Sequence, residues 1–583
     1  MAYVLADNII SPLGQTSEEN YLSVKTGKSA IRTYSSGELG IPEEFAASLL
    51  LGDFEELAFM SAQRALEKSK VDVKHEKVVF ILSSTKGNVE DMTPLADSAE
   101  KIASRLGIMT PPFVVCNACI SGLSALTLAS RLLDMGMYDD AVVCGCDAPK
   151  RFIVSGFLSL KALSHEPCRP FDMERFGLNL GEAAATMVLG KEKTSRSSWR
   201  IYHGFIKNDA FHISAPSKTA EGLLYALKET LEGVDMDDLA LVNAHGTATL
   251  FNDQMESVAI ERAGLSAIPA NALKGYFGHT LGAAGILETI LSMKTLDDHV
   301  VLGTRGFEEL GVSGKVNISS EHRKTDKHSF VKMLSGFGGC NATICASSQE
   351  ELAPSVIQQK EPIRFNCRKT HLVRITPNGV SVDGNDLSVE KSEDGASLLS
   401  AIYKQYIGNY PKFYKMDKLC KLGFVASELL LQAEKKILGN KSMVASKQTD
   451  VATVASKQTD KSMVSSVELS RQERAVVLFN HSSSVDADKK YMATISDKDN
   501  YFPSPSVFVY TLPNIVTGEI AIRNGYQGET SFYILPKRDD KQMEEVLQTT
   551  FCDSQTNSVL TGWIDYEDTS HFEAELWIVE RDR

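Results

Sequence analysis

Short apolar, β-branched runs alternate with longer amphipathic stretches along the first 350 or so residues of the chain. Residues 77–82, 140–144 and 184–189 read as strands, and residues 121–134, between the first two, read as a helix. Alternation of this kind predicts an α/β fold whose sheets are covered by helices. The pattern changes at residues 351–361, where Pro354, Gln358, Gln359 and Pro362 suggest a linker. Beyond it, residues 372–375 and 379–382 read as a hairpin. Residues 396–438 read as helical, with Leu398, Leu399, Ile402, Tyr403 and Tyr406 at helical spacing. In segment 441–466 the heptapeptide Val444-Ala445-Ser446-Lys447-Gln448-Thr449-Asp450 recurs from Val454 to Asp460. Two copies are too few for a solenoid, and their small, polar composition predicts a flexible insertion.

A chain of 583 residues exceeds one hydrophobic core. The expected division is a domain at 1–348, a linker at 349–361 and a second domain at 362–583. A formal net charge of −14 argues against non-specific nucleic-acid binding. The longest apolar segment, residues 113–133, is interrupted by Asn117, Ser121, Ser124, Thr127 and Ser130, so a buried helix is expected there rather than a membrane span. Ten cysteines show no disulfide-type spacing, and Met1-Ala2-Tyr3-Val4 does not open a signal peptide; a cytoplasmic protein with reduced thiols is expected.

Chemistry concentrates in four places. In Val114-Val115-Cys116-Asn117-Ala118-Cys119-Ile120-Ser121-Gly122 a strand runs into a cysteine-bearing turn and then a helix. A thiol over a helix N-terminus is expected to have a lowered pKa and nucleophilic character. Cys116 and Cys119 also form a Cys-x-x-Cys, but no second pair completes a four-thiolate metal site, and Cys116 is expected to point into the core. His245 follows a strand in Asn243-Ala244-His245-Gly246-Thr247-Ala248-Thr249. His279 sits at the mouth of a small-residue helix in Lys274-Gly275-Tyr276-Phe277-Gly278-His279-Thr280-Leu281-Gly282-Ala283-Ala284-Gly285. Ser335-Gly336-Phe337-Gly338-Gly339-Cys340 is a glycine-rich turn whose backbone can approach a ligand closely.

These motifs, in this order, resemble the β-ketoacyl-acyl-carrier-protein synthases of the thiolase superfamily over nearly all of residues 1–348. Ile10-Ser11-Pro12-Leu13-Gly14, Arg169-Pro170-Phe171-Asp172 and Gly181-Glu182-Ala183 add to the likeness. The resemblance implies a layered αβαβα fold and decarboxylative Claisen condensation of an enzyme-bound acyl group with malonyl carried on acyl carrier protein. Cys119 is then the nucleophile. The backbone N–H groups of Cys119 and Phe337 form the oxyanion hole, and Phe337 gates malonyl entry. His245 and His279 stabilise the enolate, and Lys274 supports them, with Asp253 and Glu256 behind. No metal or resident cofactor is implied, since the substrates ride on phosphopantetheine. The partners implied are acyl carrier protein and a second ketosynthase subunit, like or unlike. Arg169, Asp172, Arg175 and Glu182 are expected to form a structural network, and His165, His203 and His212 to have no catalytic part.

The sequence departs from the family pattern at Ser335, where phenylalanine is frequent, which implies a roomier or more polar malonyl pocket. Only about 105 residues separate Gly14 from Cys119, so part of the cap over the acyl pocket is missing. Residues 474–535 resemble the first half of a second ketosynthase. There the strand at 530–535 leads into Pro536-Lys537-Arg538 with no cysteine, and Cys552 comes too late to replace it. The expectation is a smaller α/β half-domain without catalysis that docks on a ketosynthase subunit. Two alternatives stay open: a coenzyme A-dependent thiolase using Cys340 or Cys345 as a second cysteine, and a chain-length-factor-like partner.

Overall fold

The computed structural model describes residues 2–194, 199–348, 364–390, 397–447, 472–497 and 499–582. The linker expected at 349–361 lies outside them, as does the repeat at 441–466 from residue 448 onward.

One five-stranded pattern occurs three times. In the first sheet the strands are β1 (Ala2–Ile10), β2 (Val78–Ser83), β3 (Phe113–Val115), β4 (Asp140–Asp147) and β5 (Ala183–Gly190). They lie in the order β3-β2-β4-β5-β1; β2 runs parallel to β3 and β4, and β5 antiparallel to β4 and β1. The second sheet has β6 (Arg200–Asn208), β7 (Leu239–Asn243), β8 (Pro269–Asn271), β9 (Ser329–Gly336) and β10 (Cys340–Ser347). Its order β8-β7-β9-β10-β6 repeats the same sequence of parallel and antiparallel pairings. The third has β11 (Cys367–Thr376), β12 (Arg474–Asn480), β13 (Thr530–Ile534), β14 (Ser558–Tyr566) and β15 (Phe572–Arg581), ordered β13-β12-β14-β15-β11 with the pattern again preserved. The near-continuous burial of β2, β4 and β5 explains why they read as unbroken apolar runs rather than alternating ones.

Helices give the layers. α1 (Phe54–Ser69) and α2 (Leu95–Leu106) cover the outer face of the first sheet, whereas α3 (Ser121–Asp134) packs between it and the second sheet. α4 (Glu221–Thr230) covers the outside of the second sheet beside α5 (Leu250–Arg262), and α6 (Ala284–Asp297) joins α3 in the middle layer. The result is the layered αβαβα arrangement that the sequence implies. Within residues 113–133 the strand–turn–helix reading of the cysteine motif holds: Phe113-Val114-Val115 forms β3 and the buried helix α3 starts at Ser121, so the apolar segment is not helical from end to end. Among the described residues no helix is long and apolar enough to cross a membrane.

The C-terminal unit copies the first sheet and its helices. α7 (Lys418–Lys447) lies on β11, β14 and β15 as α1 lies on β1, β4 and β5. α8 (Ile515–Asn524) precedes β13 as α2 precedes β3, and α9 (Asp540–Thr550) follows β13 as α3 follows β3. The two units meet strand to strand. β13 pairs antiparallel with β3, Tyr533 opposite Val115 and Ile534 opposite Val114. The Cys116 N–H donates to Phe532 O at 3.0 Å, and the Phe532 N–H to Asn117 Oδ1 at 2.7 Å. Arg131 on α3 adds a buried ion pair with Glu529 at 2.8 Å. The half-domain therefore docks in cis, on the edge strand that leads to Cys119.

Candidate active site

Two glycines set the geometry. A Cβ at Gly122 would stand 3.0 Å from the Gly285 nitrogen, and one at Gly285 would stand 2.5 Å from the Leu123 nitrogen. α3 and α6 thus touch backbone to backbone at their first turns, which brings the cysteine ahead of one helix to the histidine ahead of the other. Cys119 lies in a tight turn, Ala118–Ile120, entered through Ala118 at φ 47°. Ser121 braces that turn, its hydroxyl donating to Ala118 O at 2.6 Å and accepting the Asn117 N–H at 2.8 Å.

His245 is positioned by Glu256, whose carboxylate accepts the His245 N–H at 2.6 Å and the Gly246 N–H at 2.8 Å. Gly246 has φ 52°, and a Cβ there would come 2.2 Å from Ala272, so glycine is required. Asp253 accepts the Phe171 N–H at 2.8 Å and faces Arg175. Both acids hold backbone rather than touching the histidines. Burial pushes Asp253 up to about 6; burial and then Asp253 push Glu256 up to about 7. Asp172, Arg175 and Glu182 likewise bind loop backbone, as expected of a structural network, whereas Arg169 is partly exposed and pairs with Glu174 at 3.3 Å and Glu308 at 3.6 Å. Of the other histidines, His165 bonds the Glu44 carbonyl at an exposed position, and His212 bonds Ser214 in the pocket wall; the His203 side chain is outside the description.

One ligating atom each of Cys119, His245 and His279 lies within 4.8 Å of the others, and the two imidazoles stand edge to face at 4.9 Å. The Leu281 N–H donates to His279 Nδ1 at 3.3 Å, which puts the neutral ring's proton on Nε2. That buried Nε2 has no hydrogen-bond partner among the described residues. The cysteine and two histidines are a plausible donor set for a metal, but a proton on His279 Nε2 makes that atom a hydrogen-bond donor and not a ligand. Burial, then Lys274, hold both imidazoles well below the usual histidine range, so both are neutral.

The thiol corrects the sequence expectation. Burial pushes Cys119 up to about 12, against an opposing pull from Lys274, rather than lowering it. The neighbours that bury it include Phe157, Leu281 and Phe337.

Lys274 is buried and pairs with Glu288 on α6 at 2.7 Å, and Lys332 on β9 pairs with the same carboxylate. Glu288 and Lys332 escaped the sequence reading. The signal was a lysine inside the apolar run Phe330-Val331-Lys332-Met333-Leu334. Asp147 was also missed. It accepts the Gly282 N–H at 2.7 Å and the Ser84 hydroxyl at 2.8 Å, tying the His279 motif to the end of β2.

Gly336 lets β9 approach Cys119 closely, since a Cβ there would stand 3.3 Å from the Cys119 nitrogen. Phe337 follows, its ring stacked on Phe157 at 6.4 Å. Ser335 donates to Asn341 at 2.7 Å and lines a pocket of about 380 Å³ with Cys119, His245, His279 and Phe337. Exposed Phe176, Leu250 and Phe251 rim its mouth. Behind Cys119 a narrow cavity of about 20 Å³ is walled by Phe157 and, from the C-terminal unit, by Phe508, Thr511 and Leu512.

Residues 51–195 match the family described as beta-ketoacyl synthase, N-terminal domain, and residues 200–308 match beta-ketoacyl synthase, C-terminal domain. The two matches together take in residues 51–308 apart from a short gap between them. A 3-oxoacyl-[acyl-carrier-protein] synthase 2 of Rhizobium meliloti (strain 1021) is 33% identical over 266 residues, covering 42% of this chain and 63% of that protein. The chain thus spans somewhat under two thirds of that relative's length. A 3-oxoacyl-[acyl-carrier-protein] synthase 2 of Vibrio cholerae serotype O1 is 28% identical over 400 residues, covering 58% of this chain and 96% of its own. Among solved structures, the PfaC keto synthase–chain length factor covers 100% of this chain and 78% of its own, with a TM-score of 0.69 and 13% identity. That likeness extends the shared fold over the C-terminal unit.

Proposed function

We propose that the chain is a β-ketoacyl-acyl-carrier-protein synthase, an acyltransferase that forms a carbon–carbon bond. The observation that carries this reading is the convergence of Cys119, His245 and His279 on one pocket, with an unpartnered His279 Nε2–H. In the first half-reaction the Cys119 sulfur attacks the carbonyl of an acyl thioester. The thiol proton leaves through a neutral histidine and ends on the departing carrier thiol. The Cys119 and Phe337 N–H groups hold the tetrahedral oxyanion.

In the second half-reaction malonyl thioester loses CO₂, and the electron pair left behind forms an enolate. Its oxygen accepts the imidazole N–H bonds, and its carbon attacks the acyl carbonyl. Collapse expels the Cys119 sulfur, which regains a proton. Neutral imidazoles suit the task, because full proton transfer to the enolate would quench the carbon nucleophile. Cys340 is buried outside the pocket lining, which favours this reading over a thiolase with a second active-site cysteine.

The turn between β13 and α9 in the C-terminal unit holds no cysteine, and Arg538 stands at the place that corresponds to Cys119, so we assign this unit a non-catalytic part. Through Phe508, Thr511 and Leu512 it walls the acyl pocket, the role of a chain-length factor built into the same chain. Acyl carrier protein is the partner, phosphopantetheine carries both substrates, and the free thiols suit a cytoplasmic setting.

Incubating the full chain with acyl- and malonyl-loaded carrier protein tests the assignment. The wild type should gain the acyl mass and release CO₂ with a β-ketoacyl product, and Cys119→Ala should do neither. Acylation that persists in Cys119→Ala would overturn it.

A further inference from the structure

Lys332 stands in the middle of β9, fully buried, in a strand otherwise built of apolar and small residues. Burying an ammonium group is costly unless it is paired and hydrogen-bonded. The ion pair beneath the histidines is already balanced without it, since Lys274 donates to Glu288 Oε1 at 2.7 Å. Lys332 takes the other oxygen, Oε2, so two ammonium groups share one carboxylate.

The position of Lys332 is specific. It lies opposite Asn243 in the parallel pairing of β7 with β9, two residues before His245. Its Nζ donates to the Ala244 carbonyl, the group that immediately precedes His245, at 3.0 Å. Glu288 sits on α6, the helix that the His279 motif opens. One side chain therefore links the strand end carrying the first histidine to the helix behind the second.

The charged groups facing this ammonium are Glu288 from α6, Lys274 from the Lys274–Phe277 turn and Glu256 from α5. Lys274 and Lys332 share the single Glu288 carboxylate, while burial and Asp253 push Glu256 toward its neutral form. Burial and Lys274 both depress the two imidazoles, and Lys332 depresses them further. Lys332 itself is brought down to about 8 by burial, the shared Glu288 opposing and Lys274 adding to the fall.

We propose that Lys332 is a positioning residue of the condensation step: it fixes the backbone ahead of His245, ties it through Glu288 to the His279 helix, and holds a positive charge beneath both imidazoles. The charge keeps them neutral N–H donors and favours the enolate oxygen that forms against them. This deepens the ketosynthase reading and rests on it for the reaction step alone; the hold on the imidazoles stands on geometry.

The test compares the full-length wild type with Lys332→Met, Lys332→Gln and Lys332→Arg. Three quantities are read: acyl mass gained by Cys119 from an acyl-pantetheine thioester, CO₂ released from malonyl-pantetheine by the acylated enzyme, and the titration of ¹³C-labelled imidazoles by NMR. Lys332→Met should leave acylation within about twofold and slow condensation about 100-fold, the scale of losing one preorganised electrostatic group. The His245 and His279 titrations should move up by about one pH unit. Lys332→Arg should restore the low titration and part of the rate, and Lys332→Gln should behave as Met. Should Lys332→Met fail to fold, Lys332→Gln, which can still donate to Ala244 O, supplies the same readings. Unchanged imidazole titration in the neutral variants, or an equal slowing of acylation and condensation, overturns the proposal. A wild type that never acylates Cys119 overturns the ketosynthase reading instead, and the imidazole titration still decides whether Lys332 controls the histidines.

Discussion

Asn514 of the C-terminal unit donates its side-chain amide to the backbone carbonyl of Phe337 at 2.8 Å. Asn514 is buried, and its other amide atom, Oδ1, has no partner among the described residues. Four residues on, a Cβ at Gly518 would meet Gly338 O at 2.6 Å, so α8 lies directly against the glycine turn. The glycine turn beside Cys119 is thus held in place by the C-terminal unit.

Asn514→Leu should lower both acyl transfer and condensation, about ten- to hundredfold, since small displacements of a positioned group have effects of that size. Stability should fall by only about 1 kcal/mol, one neutral hydrogen bond. Kinetics of each half-reaction beside a urea titration separate the two, and wild-type rates in a destabilised variant would contradict the expectation.

Phe508 abuts Gly156 of the Arg151–Ser159 helix; a Cβ on Gly156 would lie 2.0 Å from its ring. Phe508→Ala should open the narrow cavity behind Cys119 and lengthen the acyl chains that load or are released. Mass spectrometry of the acyl-enzyme and of products over a series of acyl thioesters reads the change, and an identical chain-length profile would remove Phe508 from the pocket wall.

Arg131 and Glu529 join the two units in a buried ion pair, and Ser531 donates to the second carboxylate oxygen. Arg131→Met leaves that carboxylate short of its cation and should cost about 3–5 kcal/mol. Arg131→Met with Glu529→Gln should recover much of it. Equal midpoints for the single variant and the wild type in chemical denaturation would show that the pair is not holding the units together.

The two histidines give the protein an acid sensitivity of definite sign. Burial, then Lys274, depress their folded-state pKa, so below about pH 6.5 the unfolded chain binds protons that the folded chain refuses. Their stabilising contribution is complete above that pH and is lost as pH falls from there toward their folded values. Each histidine should remove about 1.4 kcal/mol per pH unit across that window. Denaturation midpoints of the wild type and His245→Gln at pH 7.5, 6 and 5 should therefore converge as pH falls, and parallel curves would refute the depression.

The first sheet, α3 and the cysteine–histidine motifs were legible because apolar runs, glycine placement and motif order are local properties of the chain. Gly122 and Gly285 illustrate this well: each reads as a small helical residue, and together they fix the crossing that unites Cys119 and His279. What the sequence could not yield arises between distant segments. The lowered Cys119 pKa expected from the motif does not hold, because the burial that raises it comes from residues far along the chain, Phe157, Leu281 and Phe337 among them. Glu288 looks like an ordinary helical acid until Lys274, 14 residues before it, and Lys332, 44 after, converge on it. Asn514 and Phe508 gain meaning only once β13 lies beside β3.

That strand pairing has a consequence for how the interface can change. Where two copies of one chain meet about a two-fold axis, every surface residue serves both sides, and a substitution appears twice. Here Asn117 on one side faces Phe532 on the other, and each is encoded separately. The Cys119 turn can keep its own residues while the opposing strand takes Phe532, Tyr533 and a terminating Pro536. Because both halves travel on one polypeptide, their association is set by tethering instead of by protein concentration, so Phe508, Thr511 and Leu512 remain beside Cys119 however dilute the protein becomes.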